Sequence, residues 1–205
     1  MGTSTFALGS LDALRSMLRD GLLDVRSQAD VVIVPTAAAF IGVTEAALLT
    51  GAAFDDVDAR VEALMVGARA EANDRYCVDR LARAELVVLC DGSALHARSV
   101  WRDTDLGEAI NAASKLVAIG EVASVLGEVM IDPRGGAPTT GLGYRNGAAL
   151  CQPSSDDQMF RTRSLLNDVT LVTIGASGVV HHDGDQWTVV AGDVVVTRGH
   201  EVVEL

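Results

Sequence analysis

Aromatic residues are scarce in this 205-residue chain, at 4%, and lysine is nearly missing, Lys115 standing alone beside fifteen arginines. With so few rings, a core drawn from the 49% apolar residues has to be built from Ala, Val and Leu. Cys77, Cys90 and Cys151 are three, widely spaced, with no C-x-x-C pair, which excludes a disulfide framework and a zinc ribbon. The arginines are scattered and the net charge is −12, so no basic face exists to displace counterions from nucleic acid or an anionic membrane. Apolar runs are strand-sized, too short to span a bilayer. No basic stretch leads into an apolar run at the start, so no secretory signal is expected and the expected location is cytoplasmic. Gly135-Gly136 does not follow the Gly-x-Gly-x-x-Gly pattern after a strand, which argues against a dinucleotide site. No cofactor is expected.

What remains is a chain long enough for one domain over residues 1–205, with the mildly positive mean hydropathy of a globular protein. Thr5 to Leu8 reads as a strand, and Leu11, Leu14, Leu18 and Leu22 form a helical stripe after it. Val31 to Val34 is a continuous β-branched run, the mark of a parallel strand covered on both faces. Thr36 to Thr50 reads as mostly helical with a break at Gly42, and Asp58 to Val66 fits either a helix or a short strand. Ala68 to Arg83 reads as a charged helix and Glu85 to Cys90 as another buried strand. Helical pieces follow at 95–100 and 106–114, the second capped by Thr104. Pro133 to Gly143 reads as a loop, Ala148 to Cys151 as a strand and Gln158 to Asn167 as a helix. From Val169 short strands succeed one another, with a hairpin signal at His182-Asp183-Gly184-Asp185. The pattern predicts an α/β fold: a three-layer α/β/α sandwich with a mostly parallel central sheet and an antiparallel C-terminal β-meander.

The stretch Lys115 to Val125 organises the rest. Its apolar run Leu116 to Ile119 stops at Gly120, and a helix-compatible run, 121–130, follows at once. That is the arrangement of a nucleophile elbow, where a reactive side chain sits on a tight turn ahead of a helix N-terminus. Two residues after the glycine, where a hydroxyl or thiol is expected, stands Val122.

With this order laid out, the chain resembles the cyanophycinase and dipeptidase E family of serine peptidases, within the class I glutamine amidotransferase-like superfamily. Val31-Val32-Ile33-Val34-Pro35-Thr36-Ala37-Ala38 is similar to the family's second strand and its exit. Leu86 to Ser93, ending Asp91-Gly92-Ser93, resembles the strand and Gly-Gly turn lining the family's active site. Gly120 to Ser124 stands where the family has Gly-x-Ser-Ala-Gly, Gly141-Leu142-Gly143 matches its Gly-Leu-Gly segment, and Val169 to Val196 matches its last strands. By this resemblance the nucleophilic serine falls on Val122 and the general-base histidine, after Pro153, on Ser154. The acidic residue falls near Ala176-Ser177, and Asp91 replaces one glycine of the oxyanion-side turn while Gly92 keeps the other.

Other groups are weighed against that pattern. Ser124 lies about 200° around a helix from Val122 and reads as a helix serine. Ser93 and His96 are three apart near Asp91 and fit a serine capping the next helix. Cys90 reads as a small buried thiol at a strand end. His181 and His182 are consecutive in a strand, face opposite sides, and read as solvated hairpin residues; no metal site is expected. His200, near the end of the chain, reads as exposed. Three functions stay open. The first is a catalytically silent homologue acting as a binding or structural protein, its cleft lined by Asp91, Gly92, Ser93, Gly120, Glu121, Val122 and Ser154. The second is a serine-type hydrolase with Ser93 or Ser124 attacking and His96 assisting. The third is a sensor of small cationic or amide-bearing molecules through Asp91 and Glu121. The partners expected are a small molecule or peptide and a second copy of the chain.

Overall fold

Apolar β-branched runs dictate the sheet. A computed structural model describes residues 3–205. The parallel strands are β1 (Ser4–Leu8), β2 (Ala29–Val34), β3 (Ala59–Ala63), β4 (Leu86–Leu89) and β5 (Lys115–Ile119), in the spatial order β3-β2-β4-β5-β1. Every residue of β4 is buried, and so are four of the five in β5, because helices cover both faces. On one face lies α1 (Leu11–Arg19), which packs Leu14 and Met17 against the sheet, with α2 (Val43–Gly51) beyond it. The other face carries α3 (Arg75–Arg83), α4 (Ala94–Trp101) and α5 (Asp105–Asn111), contributing Leu81, Trp101, Leu106 and Ile110. Side-chain caps start several of these helices. Ser10, Asp74, Ser93 and Thr104 accept from the backbone N–H three residues on, satisfying donors that helix ends leave open.

The charged segment 68–83 is not one helix. A short 3-10 turn at Arg69–Glu71 precedes α3, because Asp74 caps a new start. The ambiguous segment 58–66 resolves as the edge strand β3, paired with β2 alone. After β5 the expected helix is absent. Gly120–Leu126 forms a 3-10 turn, all but Glu121 buried, and the chain leaves it through β6 (Val129–Ile131). The segment 133–143 is not wholly loop, since Pro138–Thr140 forms β7, antiparallel to β6.

Past β8 (Ala149–Cys151) and α6 (Asp156–Leu165), the C-terminal strands pair antiparallel in sequence-expected places but divide between two sheets. β10 (Val179–His182) and β11 (Trp187–Ala191) form the expected hairpin and extend the main sheet beyond β1. β9 (Thr170–Ile174), β12 (Val194–Arg198) and β13 (Glu201–Val202) join β8 in a second, four-stranded sheet. Gly175 and Gly178 let the chain turn tightly between β9 and β10, where a Cβ at either would run into Asp193. Connections leave β2 toward the edge strand β3 and leave β4 toward β5, in opposite directions. The C-terminal ends of β2 and β4 therefore border a topological switch, the place where α/β sheets form ligand crevices.

Candidate functional site

The bend at the end of β5 meets the neighbouring loop at Asp91, just past β4. Ile119 ends the strand with extended backbone and Gly120 turns the chain at φ 67°, a left-handed conformation that an L-residue adopts only with strain. A Cβ on Gly120 would also run into the Asp91 carboxylate, so glycine is required twice over. Gly92, at the end of β4, is equally constrained: its φ is 143° and a Cβ would collide with the Ala37 carbonyl. The loops after β2 and β4 are thereby locked together, with the Ser93 N–H donating to the Ala37 carbonyl at 2.8 Å.

In a nucleophile elbow, the strained residue carries the attacking atom, and the N–H after it joins an N–H from a neighbouring loop to hold the oxyanion. Here the strained residue is Gly120, which has no side chain. The N–H after it belongs to Glu121 and donates to Asp91 Oδ1 at 2.9 Å; the Gly92 N–H donates to the same oxygen at 2.7 Å. One carboxylate oxygen thus engages two converging backbone donors. Val122, expected at the bend and in the cleft, is at neither: it is 0% exposed in the core, and its φ is not positive. The register that places a nucleophile two residues beyond the glycine is corrected by the backbone, which bends at the glycine itself. Nothing but the abrupt end of the apolar run at Ile119 marked this in the sequence.

The other candidates separate. Ser93 caps α4, its hydroxyl accepting the His96 N–H at 3.2 Å, while the His96 ring turns away to the Gly67 carbonyl at 2.7 Å and packs edge-on to Phe40. The two side chains do not form a hydroxyl–imidazole pair. Ser124 is not on an α-helix but in the 3-10 turn, 3% exposed, its Oγ meeting no hydrogen-bond partner among the described residues. Ser154 lies exposed in the loop after β8. Gln152, which sequence inspection passed over, reaches the bend: its side-chain amide donates to the Gly120 carbonyl at 3.2 Å. His181 and His182 do face opposite sides, but they are not both solvated. His181 stacks on Phe6 and bonds Ser4 Oγ, while His182 is 4% exposed and edge-on to Trp187.

No family model matches the chain, and neither does any curated protein. Solved structures do. A peptidase from an acI-B1 Actinobacterium superposes with a TM-score of 0.76 at 18% identity, over 100% of this chain and 98% of the other. A putative peptidase E protein from Listeria monocytogenes EGD-e gives 0.68 at 13% identity, over 97% and 99%. The fold is that of peptidase E-type structures. It is the class I glutamine amidotransferase-like α/β fold, shared along the whole chain. Identities this low carry architecture and leave chemistry to the site.

On this peptidase E-type fold two cavities flank the bend. One of about 320 Å3 lies on the α2 side, where Asp91, Cys90 and Ile119 meet Leu11, Ala46 and Thr50. The other, of about 220 Å3, lies on the β8 side and is lined by Glu121, Ser124, Gln152, Ser154 and Met159 among others. Glu121 accepts the Ala94 N–H at 3.0 Å at the start of α4. Burial, and secondarily the carboxylates of Asp91 and Asp132, nevertheless hold its pKa above the usual carboxylate value. Burial pushes the Cys90 thiol up to about 11, against a hydrogen bond to Thr50 Oγ1 at 3.3 Å, so it is the inert thiol the sequence suggested. Cys151 is likewise raised by burial to about 11. Among the described residues no group of three His, Cys, Asp or Glu is placed to hold a metal, and no helix is long and apolar enough to cross a membrane.

Proposed function

We propose that the protein is a non-hydrolytic binding protein on a peptidase E-type scaffold. One observation carries this: the Asp91 carboxylate occupies the Glu121 and Gly92 N–H donors beside a bend whose residue, Gly120, bears no side chain. A tetrahedral oxyanion would have to displace an anion already held there, and like charges at such separations repel. No attacking atom stands at the bend either. Loss of the nucleophile from a triad costs on the order of 10⁶ in kcat, and losing the oxyanion donors removes a further ~10²–10³. Ser93 is committed as a helix cap and His96 to a backbone carbonyl, which weighs against the rearranged hydrolase. Open α/β sheets commonly bind ligands at their C-terminal strand ends, which supports the binding reading.

The test is direct. The purified chain is incubated with a fluorophosphonate probe and examined by intact-mass spectrometry, alongside hydrolysis of fluorogenic dipeptide amides. No adduct and no turnover above buffer are expected. A stoichiometric adduct on Ser93, Ser124 or Ser154 would establish a serine hydrolase and end the proposal.

A further inference from the structure

Ser124, which lines the cavity on the β8 side, has a buried hydroxyl with no partner among the described residues, and a partnerless buried polar group costs free energy. Two neighbouring donors are already engaged. Thr162 Oγ1 donates to the Gly136 and Gln158 carbonyls, at 2.8 and 2.9 Å, and the Gln158 amide donates to the Pro133 carbonyl at 3.0 Å. Several acceptors are left uncommitted among the described residues, and three of them matter here. They are the Ser124 hydroxyl, the Glu121 carboxylate oxygen not used by Ala94, and the Gln152 carbonyl oxygen, one N–H of the same amide being held by the Gly120 carbonyl. Ile131, Pro133 and Met159 complete the wall with apolar surface.

We propose that this cavity binds a primary ammonium group on a short aliphatic stem, held by Glu121, Ser124 and Gln152. Resting on the binding-protein reading above, it names the ligand class for the same crevice. An –NH3+ carries three donors and no acceptor, which suits the acceptor oxygens of Glu121, Ser124 and Gln152. The charge-assisted bond to Glu121 supplies the strongest contact, and the stem lies against Met159 and Ile131. A volume of about 220 Å3 equals roughly seven waters at ~30 Å3 each, room for a four- or five-carbon amine. The exposed Pro153 and Ser154 border the mouth, so the amine of a larger molecule enters with the remainder outside. The net charge of −12 draws cations toward the molecule generally, so specificity has to be shown against that background.

Calorimetric titration of the full chain with n-butylamine, a tripeptide with a free N-terminus, its N-acetylated form and n-butanol tests this. Saturable one-site binding is expected for n-butylamine and none for n-butanol; the tripeptide arms then tell a free amine from a peptide terminus as the natural source. Glu121→Gln keeps the oxygen that accepts from Ala94 and should weaken n-butylamine binding by about 30-fold or more, the effect of stripping the charge from a half-buried pair. Ser124→Ala should weaken binding several-fold while leaving the unliganded protein at least as stable, since only an unpaired hydroxyl is removed. Asp12→Asn, on the exposed face of α1, should bind as the parent does. Absence of saturable binding, or equal affinity of the parent and Glu121→Gln, overturns the ammonium site; fluorophosphonate labelling is unaffected by either outcome and judges the non-hydrolytic reading separately.

Discussion

Gly120→Ala is the substitution that most directly probes the bend. Two penalties add. An L-residue at φ 67° carries strain of about 1–2 kcal/mol, because its Cβ crowds the backbone. The new methyl also enters the space of the Asp91 carboxylate, which must leave the Glu121 and Gly92 donors at a net loss of about 0.5–1.5 kcal/mol each. The sum is about 2–5 kcal/mol of stability. Asp91→Ala removes the second penalty in advance, so Gly120→Ala in that background should cost only the strain. The cycle therefore predicts a coupling of about 1–3 kcal/mol between two residues 29 apart in sequence. Urea unfolding followed by tryptophan fluorescence is the assay, since Trp101 and Trp187 are both buried and report the core. If the two substitutions add to within about 0.5 kcal/mol, the carboxylate does not sit against the bend, and the filled-donor argument for inactivity falls with it.

Two further outcomes follow from the same geometry. Val122→Ser should give no fluorophosphonate adduct and should lose about 2–4 kcal/mol, seen as a fall of roughly 5–15 °C in Tm, because it puts a partnerless hydroxyl into a fully buried apolar site; a labelled, unperturbed variant would return Val122 to the cleft. Glu121 has a raised pKa in the folded chain, so its contribution to stability is fully present below the ordinary value near 4.5 and is lost as pH rises through the folded value. Glu121→Gln, which does not titrate, should therefore be more stable than the parent at pH 7, with the gap closing toward pH 4.5; a gap that is constant from pH 4 to 8 would refute the burial assigned to this carboxyl.

How much was legible varies by element. β2, β4 and β5 read correctly because strands covered on both faces need no polar alternation, and an uninterrupted β-branched run has few other uses. Helix starts were legible where a Ser or Thr sat just ahead of a polar-apolar stripe, as at Thr104. The 3-10 turn after Gly120 was not, because Val122, Ala123, Val125 and Leu126 are apolar on every side; such a run fits a buried helix as well as a turn enclosed by β6, β8 and α4. The division of the C-terminal strands was hidden for another reason: strand order depends on which edges are free once the parallel sheet exists, and local composition carries no record of that.

For the site, the sequence alone determined which groups were on hand: a glycine at the end of a buried strand, an aspartate at the end of its neighbour, serine rather than histidine directly after Pro153, and no hydroxyl within two residues of the bend. Tertiary structure alone decided what they do. Asp91 and the Glu121 N–H are brought within 2.9 Å because β4 and β5 lie side by side in parallel register, Leu89 opposite Ala118, so that both strands release their chains at the same height. A hydrogen bond of that length is set by the pairing of two strands, and no window of sequence contains it.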